Sequence, residues 1–270
     1  MISVQTYVPE GLSPFIKSFW RLQVSDAIPG AYEEDIIPDG HHEIIFHLNA
    51  HAARRKTGTQ AWGDEPAAFF AGQTLQSYTL QLNAGAVLYG IRFYPHTLAL
   101  LFKFPAHLLT GGWLPLGDIP GADLLQHCIT ENAAQTFTRF ERILHQQIRA
   151  LRLTGGFSYV HKAVSTILQQ KGDVRIDELI RATGVSVKHL DNSFKQFAGV
   201  TPKTLCNIIK LNYFIRYREQ HPSKTLTECA YEASFYDQSH LIRLFKAFTC
   251  QSPRAYFSEV HYINEYFTGL

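Results

Sequence analysis

One segment of the C-terminal third occurs twice, and this repeat restricts the fold more than any other feature of the chain. Five residues return 51 positions later: Leu190 as Leu241, Phe194 as Phe245, Lys195 as Lys246, Phe197 as Phe248 and Pro202 as Pro253. The stretch before them returns 50 positions later: Ile176 as Leu226, Glu178 as Glu228 and Gly184 as Ser234. The second copy therefore holds one added residue, near Asp237.

Each copy has the pattern of a helix, a tight turn and a second helix. In the first copy we expect a helix over Ile176 to Ala182, a turn at Gly184, and a second helix that Ser186 caps and that continues to Ala198. Gly199, Thr201 and Pro202 then end that helix. Two such units in tandem suggest a protein that binds DNA.

The second helix of the first unit has distinct inner and outer faces. Its apolar positions, Leu190, Phe194 and Phe197, face inward. Its outer positions hold side chains that hydrogen-bond to base edges or phosphates: Lys188, His189, Asp191, Asn192 and Lys195. A further apolar-patterned helix, Lys203 to Glu219, follows and is about 25 Å long at 1.5 Å per residue. We expect it to hold two recognition helices about one DNA turn, roughly 34 Å, apart.

The second unit carries a longer motif. Residues 230–246 read Ala-Tyr-Glu-Ala-Ser-Phe-Tyr-Asp-Gln-Ser-His-Leu-Ile-Arg-Leu-Phe-Lys, and residues 252–256 read Ser-Pro-Arg-Ala-Tyr. This sequence closely resembles the signature of AraC-type (AraC/XylS) transcriptional regulators, and the resemblance spans Tyr159 to Phe257. It implies a sequence-specific DNA-binding regulator with both recognition helices in the major groove. Activation and repression of transcription both fit the residues.

The resemblance implicates specific positions in DNA binding. In the first unit these are Lys188, Asp191 and Asn192, and in the second Gln238, Ser239, His240 and Arg243. Arg243 suits a bidentate contact with guanine, and Gln238 suits one with adenine. Asn192 also suits adenine, and Asp191 can accept a hydrogen bond from cytosine. Lys195 and Lys246, at the Phe-Lys position of the family, are expected to contact the DNA backbone or solvent.

Three positions depart from the family pattern. Ser234 and Cys250 stand where these regulators usually have glycine, and Ile180 replaces a small alanine. Because a non-glycine residue at positive φ is strained, we expect the two turns at Ser234 and Cys250 to differ from the family geometry.

Composition and charge divide the chain into unlike halves. The 270 residues, 46% apolar and 18% charged, are enough for a sizeable core and two domains. From Phe157 onward, 14 Lys and Arg stand against 10 Asp and Glu, a net charge of +4, whereas the rest has 11 against 13, a net charge of −2. The basic half is the half with the repeat. No signal peptide or membrane span is visible, so we expect a cytoplasmic protein without a membrane partner.

The N-terminal half is expected to be β-rich. Strands are predicted at Glu34–Pro38, Glu43–Leu48, Ala68–Ala71, Tyr78–Leu82 and Val87–Phe93, with a turn at Pro38-Asp39-Gly40. Four short motifs are similar to the sensor halves of a subset of AraC-like regulators: Phe15–Trp20, Pro38–Glu43, Gly90–Pro95 and Leu116–Asp118. That softer resemblance covers Leu12 to about Leu151 and names no ligand.

The expected fold class is α+β. A β-rich sensor domain, for which a cupin-like form is one alternative, ends in helices and precedes an all-α domain of two helix-turn-helix units joined by a linker helix. The expected domains are residues 1–153 for effector binding and dimerisation, 158–258 for DNA binding, and 259–270 as a C-terminal tail. A helical stretch from Ala122 to Leu153 runs into Thr154-Gly155-Gly156, where two glycines end a helix and loosen the chain.

That helical stretch has an apolar stripe long enough to pair with a second copy, so a homodimer is a hypothesis. The other partners expected are double-stranded promoter or operator DNA, RNA polymerase and a small-molecule effector of unknown identity. Eight aromatic residues of the sensor suit either a ligand cavity or a filled core: Trp20, Phe46, Trp62, Phe69, Phe70, Tyr89, Phe93 and Tyr94.

Polar groups of the sensor allow several interpretations. His41, His42, Glu43, His47 and His51 suggest a metal site, but a strand would place His42 opposite Glu43 and His47, and no cupin-like His-x-His precedes a Glu. We therefore expect no metal and no cofactor. Arg92 can pair with Asp39 or Glu43, which is the favoured alternative, or can bind an anionic effector.

An enzyme fused to a DNA-targeting unit is the second functional class. A methyl-acceptor repair protein would need an activated cysteine, and Cys128 is the only cysteine of the N-terminal half. Cys128, Cys206, Cys229 and Cys250 lie far apart within predicted helices or at their ends, so reduced structural thiols are favoured. We expect no catalytic activity.

Overall fold

A computed structural model describes residues 2–28, 30–49, 52–56, 59, 61–153 and 155–268. Strands fill the first part of the chain and helices the second, so the expected α+β fold class is confirmed. The ten strands are β1 (Ile2–Tyr7), β2 (Ile16–Val24), β3 (Ala31–Ile36), β4 (His42–His47), β5 (Ala52–Lys56), β6 (Gly63–Asp64), β7 (Ala68–Ala71), β8 (Tyr78–Asn83), β9 (Val87–Phe93) and β10 (Trp113–Pro115).

The strands form two antiparallel sheets. Six strands pair in the order β1-β2-β9-β4-β7-β10, and four in the order β3-β8-β5-β6. Apolar side chains of both sheets, among them Trp20, Leu82 and Leu88, share one core, so the sheets pack face to face. Every residue of the central strand β9 is buried because helices cover the other face of the larger sheet. Of the predicted strands, β7 and β9 have the predicted bounds, whereas β3 begins three residues earlier than expected.

The N-terminal part also holds two α-helices: α1 (Leu98–Phe102) lies between β9 and β10, and α2 (Ala133–Arg149) follows β10. The expectation of one helical stretch from Ala122 to Leu153 is wrong. A 3₁₀ helix over Asp123–Cys128 ends before Asn132, whose side chain accepts a hydrogen bond from Gln135 N (3.1 Å) and starts α2. The apolar stripe of α2 packs into its own core, where Phe140 and Leu144 are fully buried, so it is not exposed for a second copy.

The remaining helices are α3 (Gly155–Gln169), α4 (Ile176–Thr183), α5 (Val187–Phe197), α6 (Pro202–Gln220), α7 (Leu226–Glu232), α8 (Gln238–Thr249), α9 (Pro253–Tyr256) and α10 (Tyr262–Thr268). Gly155 and Gly156 begin α3 rather than ending a helix, which corrects the expected role of the two glycines. Thr154, the first residue of the Thr-Gly-Gly triplet, lies outside the described residues.

The repeat is visible in the helix caps. Ser186 and Asp237 cap α5 and α8, and Thr201 and Ser252 cap α6 and α9; both pairs are 51 residues apart. In each case the side-chain oxygen accepts a hydrogen bond from the amide three residues on. The same local chemistry therefore starts equivalent helices in both units.

Ser234 and Cys250, which stand where the family has glycine, have the same backbone geometry as the equivalent glycines of the first unit. Gly184 has φ +73° and Ser234 has φ +58°, while Gly199 has φ +77° and Cys250 has φ +60°. Both non-glycine residues therefore adopt the same left-handed conformation as the glycines at the equivalent positions of the first unit. That conformation places a side chain in conflict with its own carbonyl.

We expect Cys250→Gly to stabilise the chain by about 0.5–1 kcal/mol, since the relief of strain exceeds the added freedom of the unfolded chain. Gly184→Ala is the matched control: an added Cβ meets nothing within 4 Å, yet φ is +73°. It should cost about 1 kcal/mol. Urea unfolding followed by far-UV circular dichroism measures both, and equal midpoints for Cys250→Gly and the wild type would contradict the strain.

Candidate nucleic-acid interface

Helices α5 and α8 are the second helices of the two units, the position of the recognition helix in a helix-turn-helix. Leu190 and Phe194 bury the inner face of α5, and Phe197 is half-buried. Lys188, Asn192 and Lys195 are exposed on the outer face, and Asp191 is half-buried. The helix thus presents amide and ammonium donors and one carboxylate acceptor on a single surface.

The outer face of α8 begins directly at its cap. Gln238, Ser239, Arg243 and Lys246 are exposed, while Leu241 and Phe245 are buried. His240 is half-buried, and its ring lies 5.5 Å from the ring of Phe235. Burial lowers the pKa of His240, and the charge of Arg243 lowers it further, so the imidazole is neutral at neutral pH. His240 is thus less accessible to DNA than the other predicted residues of α8.

The cations of both outer faces are unpaired within the part of the chain that the structure describes. No salt bridge there involves Lys188, Lys195, Arg243 or Lys246. The sequence analysis did not include Tyr236 among the candidate DNA contacts. This residue lies directly before the cap of α8 and is 87% exposed. The added turn residue of the second copy was the available signal, because it lengthens the turn there.

The helix α6 holds the two units together. Leu205 and Cys206 belong to the core of the first unit, whereas Ile208, Leu211 and Phe214 belong to the core of the second. Its 19 residues make it about 28 Å long. One rigid element therefore supports both outer faces.

A cavity of about 80 Å³ lies between the two sheets of the N-terminal part. Apolar side chains such as Leu22, Ile45 and Leu80 line it together with Arg92. Arg92 Nη2 lies 2.7 Å from Asp39 Oδ2, and Nη1 lies 2.8 Å from Glu43 Oε1. The favoured pairing of Arg92 is confirmed, and both acids take part.

The aromatic residues divide between this cavity, which Trp20 lines, and the filled core, which buries Phe46, Phe70 and Tyr89.

The segment expected as a C-terminal tail closes this cavity as α10. The Glu34 carboxylate accepts hydrogen bonds from the amides of Ile263 and Asn264, both at 2.8 Å. Arg92 Nη2 donates to the carbonyl of Phe267 (3.0 Å), and the ring centroids of Phe267 and Trp20 are 5.3 Å apart. Polar contacts at both ends of α10 thus hold its apolar face on the cavity.

The histidines near Glu43 serve separate contacts. His41 Nδ1 lies 2.8 Å from the carbonyl oxygen of Phe93, and His47 Nε2 lies 3.1 Å from Glu65 Oε2. His42 is fully buried, and burial lowers its pKa to about 4. His51 lies outside the described residues. Among the described residues, no group of three His, Cys, Asp or Glu side chains is placed to hold a metal ion.

Cys128 does not lie in the setting of an activated cysteine. Cys128 is buried, its Sγ donates to the carbonyl of Leu124 (3.6 Å), and burial raises its pKa. A nucleophilic cysteine needs the opposite shift. The feature that an enzyme of the methyl-acceptor type would need is therefore not found at this cysteine.

Thiol titration should separate one cysteine from three. Cys250 is exposed, whereas Cys128, Cys206 and Cys229 are buried, so a disulfide reagent should form a mixed disulfide with the native chain and release about one equivalent of its own thiolate in a fast phase. Cys250→Ser should remove that phase and serves as the control. A fast phase that survives this substitution would point to an activated thiol elsewhere.

Comparisons with known proteins agree with the two parts of the chain. Residues 179–259 match the family described as "Helix-turn-helix domain", and residues 5–115 match "Domain of unknown function (DUF6597)". No curated protein matches the chain. No helix of the described residues is long and apolar enough to cross a membrane.

Several solved structures are similar to the chain. ToxT from Vibrio cholerae has 11% identity and a TM-score of 0.46, over 95% of this chain and 98% of that one. A second ToxT structure, with a bound unsaturated fatty acid, has 12% identity and a TM-score of 0.45, over 94% of each chain. The AraC-like transcriptional activator CuxR has 16% identity and a TM-score of 0.28, over 86% of this chain and 91% of that one.

The C-terminal part of the chain is thus an AraC-type helix-turn-helix domain, which binds DNA in transcription regulation, behind an N-terminal domain of unknown function. The signature at residues 230–246 and the family match coincide, so the expected resemblance is confirmed.

Proposed function

We propose that this chain is a sequence-specific transcriptional regulator in which α5 and α8 read two unlike DNA segments in successive major grooves. The observation that carries the proposal is the pair of outer faces, equivalent by the repeat but different in chemistry. The first offers Lys188, Asp191 and Asn192, and the second offers Gln238, Ser239 and Arg243. Unlike helices on one chain favour an asymmetric site.

The exposed side chains divide by role. Arg243 is suited to guanine and Gln238 to adenine, and each contact would contribute about 1–3 kcal/mol of discrimination. Asn192 and Asp191 supply the weaker base contacts of the first unit. Lys188, Lys195 and Lys246 would neutralise phosphates, which raises affinity on every sequence and makes it dependent on salt. His240, which is half-buried and neutral, would make only a minor contact with DNA.

We assign the N-terminal domain, residues 1–153, the role of modulating the DNA-binding domain, residues 158–258, through a small-molecule effector. The cavity between the sheets supports this assignment, but 80 Å³ is far below the roughly 300 Å³ of a typical ligand site. An effector of metabolite size would therefore have to displace part of α10. Because Asp39 and Glu43 already neutralise Arg92, the site favours an uncharged, largely apolar molecule over an anion.

The remaining partners follow from this role. We propose action in the cytoplasm, contact with RNA polymerase at the promoter, and a second copy of the chain as a partner only through a surface other than the buried stripe of α2.

A selection from genomic fragments with the purified full chain tests the proposed function. We expect enrichment of one asymmetric sequence whose affinity exceeds that of scrambled DNA by at least about 10³-fold. Recovery of fragments without a shared sequence, at equal affinities, would contradict sequence-specific regulation.

A further inference from the structure

A short loop of the N-terminal domain, residues 72–77 between β7 and β8, contacts both helix-turn-helix units; we call it the bracket. At one end Gln73 Nε2 donates a hydrogen bond to the carbonyl oxygen of Ala198 (2.9 Å). At the other end Ser77 Oγ donates to the carbonyl oxygen of Thr249 (2.8 Å), and Ser77 N donates to that of Phe248 (2.7 Å). One loop therefore binds the ends of α5 and α8.

The two acceptors occupy equivalent positions. Ala198 and Thr249 are 51 residues apart, the interval of the repeat, and each lies at the C-terminal end of the second helix of its unit. The last carbonyls of a helix have no intrahelical partner and therefore accept bonds from outside. The bracket thus donates a side-chain hydrogen bond to the equivalent carbonyl of each second helix.

The bracket is short and its contacts are buried. The backbone from Gln73 to Ser77 is four residue steps long and spans at most about 14 Å. Gln73 is 1% exposed and Ser77 is 3% exposed, so water does not compete for these hydrogen bonds. The ends of α5 and α8 are thus tied by one small piece of chain in addition to α6.

The other side of the bracket lines the sensor cavity. Gly72 and Thr74 line it, as does Tyr78, the first residue after the bracket. The residues that contact the helices and those that contact the cavity therefore lie next to each other in the chain. A molecule that enlarges the cavity contacts the bracket directly.

We propose that the bracket sets the relative placement of the two recognition helices, with Gln73 and Ser77 as positioning residues for DNA spacing. This inference rests on the proposed function, because it requires that both helices read DNA at once. The N-terminal domain then determines not which bases are read but how far apart the two read segments lie. A molecule in the cavity would act on this spacing.

The test uses the full chain and the selected DNA site, with one base pair inserted or removed between the two read segments. One base pair moves a segment by about 3.4 Å and rotates it by about 35°. For the wild type we expect each change to weaken binding by at least about tenfold. For Gln73→Ala/Ser77→Ala we expect that penalty to fall to about twofold, with affinity for the unaltered site within about threefold of the wild type.

Two controls separate placement from general stability. Gln76→Ala, an exposed glutamine in the same loop, should keep the wild-type penalty, and Ser77→Thr, which retains the hydroxyl, should largely keep it too. An unchanged penalty in the double variant would overturn the inference. So would a wild type that binds its selected site but tolerates every spacing, and in that case the proposed function stands. A wild type that selects no sequence would refute the proposed function as well.

Discussion

Arg243→Ala should weaken binding to the selected site by about 5- to 150-fold, the equivalent of about 1–3 kcal/mol for a lost bidentate contact with guanine. Its affinity for scrambled DNA should change little by comparison. Arg243 is exposed on α8 and has no salt bridge among the described residues, so the loss would come from DNA and not from the fold. Fluorescence anisotropy with the two DNAs at one salt concentration measures the ratio.

Lys246→Ala is the matched control for charge. Lys246 is exposed one helical turn further along the same helix, where a phosphate contact is expected. Its loss should weaken binding to selected and scrambled DNA alike and reduce the salt slope by about one. Equal preference for the two DNAs in Arg243→Ala and the wild type would show that α8 does not read the site through Arg243.

Arg92→Met should destabilise the N-terminal domain by about 3–5 kcal/mol, because it leaves the half-buried acids Asp39 and Glu43 without their common, fully buried partner. Burial already raises the pKa of Glu43, and the Arg92 charge opposes that rise. Without Arg92 the carboxyl group of Glu43 should be protonated at neutral pH, which limits the loss. The hydrogen bond from Arg92 to α10 would be lost as well.

Urea unfolding followed by tryptophan fluorescence isolates this effect, since Trp20, Trp62 and Trp113 all lie in the N-terminal half. Glu43→Gln should cost less, because Asp39 still neutralises Arg92. The double variant Arg92→Met/Glu43→Gln should be more stable than the sum of the single losses predicts, by about 0.5–3 kcal/mol. Strict additivity would show that the pair is not coupled.

Local sequence patterns were enough to predict much of the fold. The bounds of β7 and β9 follow from apolar runs between turn residues, and the cap Ser186 follows from its position before a helix-period pattern. The outer faces of α5 and α8 follow from the same periodicity. For both helices, the predicted DNA-contacting residues other than Asp191 and His240 are exposed.

Contacts between distant residues explain what the sequence did not show. Local contacts account for one miss: Asn132 caps α2 and Thr130 pairs with Thr136 (3.1 Å), so the helix expected from Ala122 to Leu153 is divided. The C-terminal segment forms α10 against partners more than two hundred residues earlier, such as Glu34. The bracket joins Gln73 to Ala198 across 125 positions. No periodic pattern in one sequence contains these pairings.

We expect two unlike read segments on one face of the DNA, and methylation interference on the selected site measures this most directly. Guanine N7 lies in the major groove, so methylation there blocks a recognition helix. We expect interference in two clusters of different sequence about one helical turn apart, and Arg243→Ala should remove only the cluster read by α8. A single cluster, or two clusters that repeat one sequence, would contradict the reading of an asymmetric site by two helices of one chain.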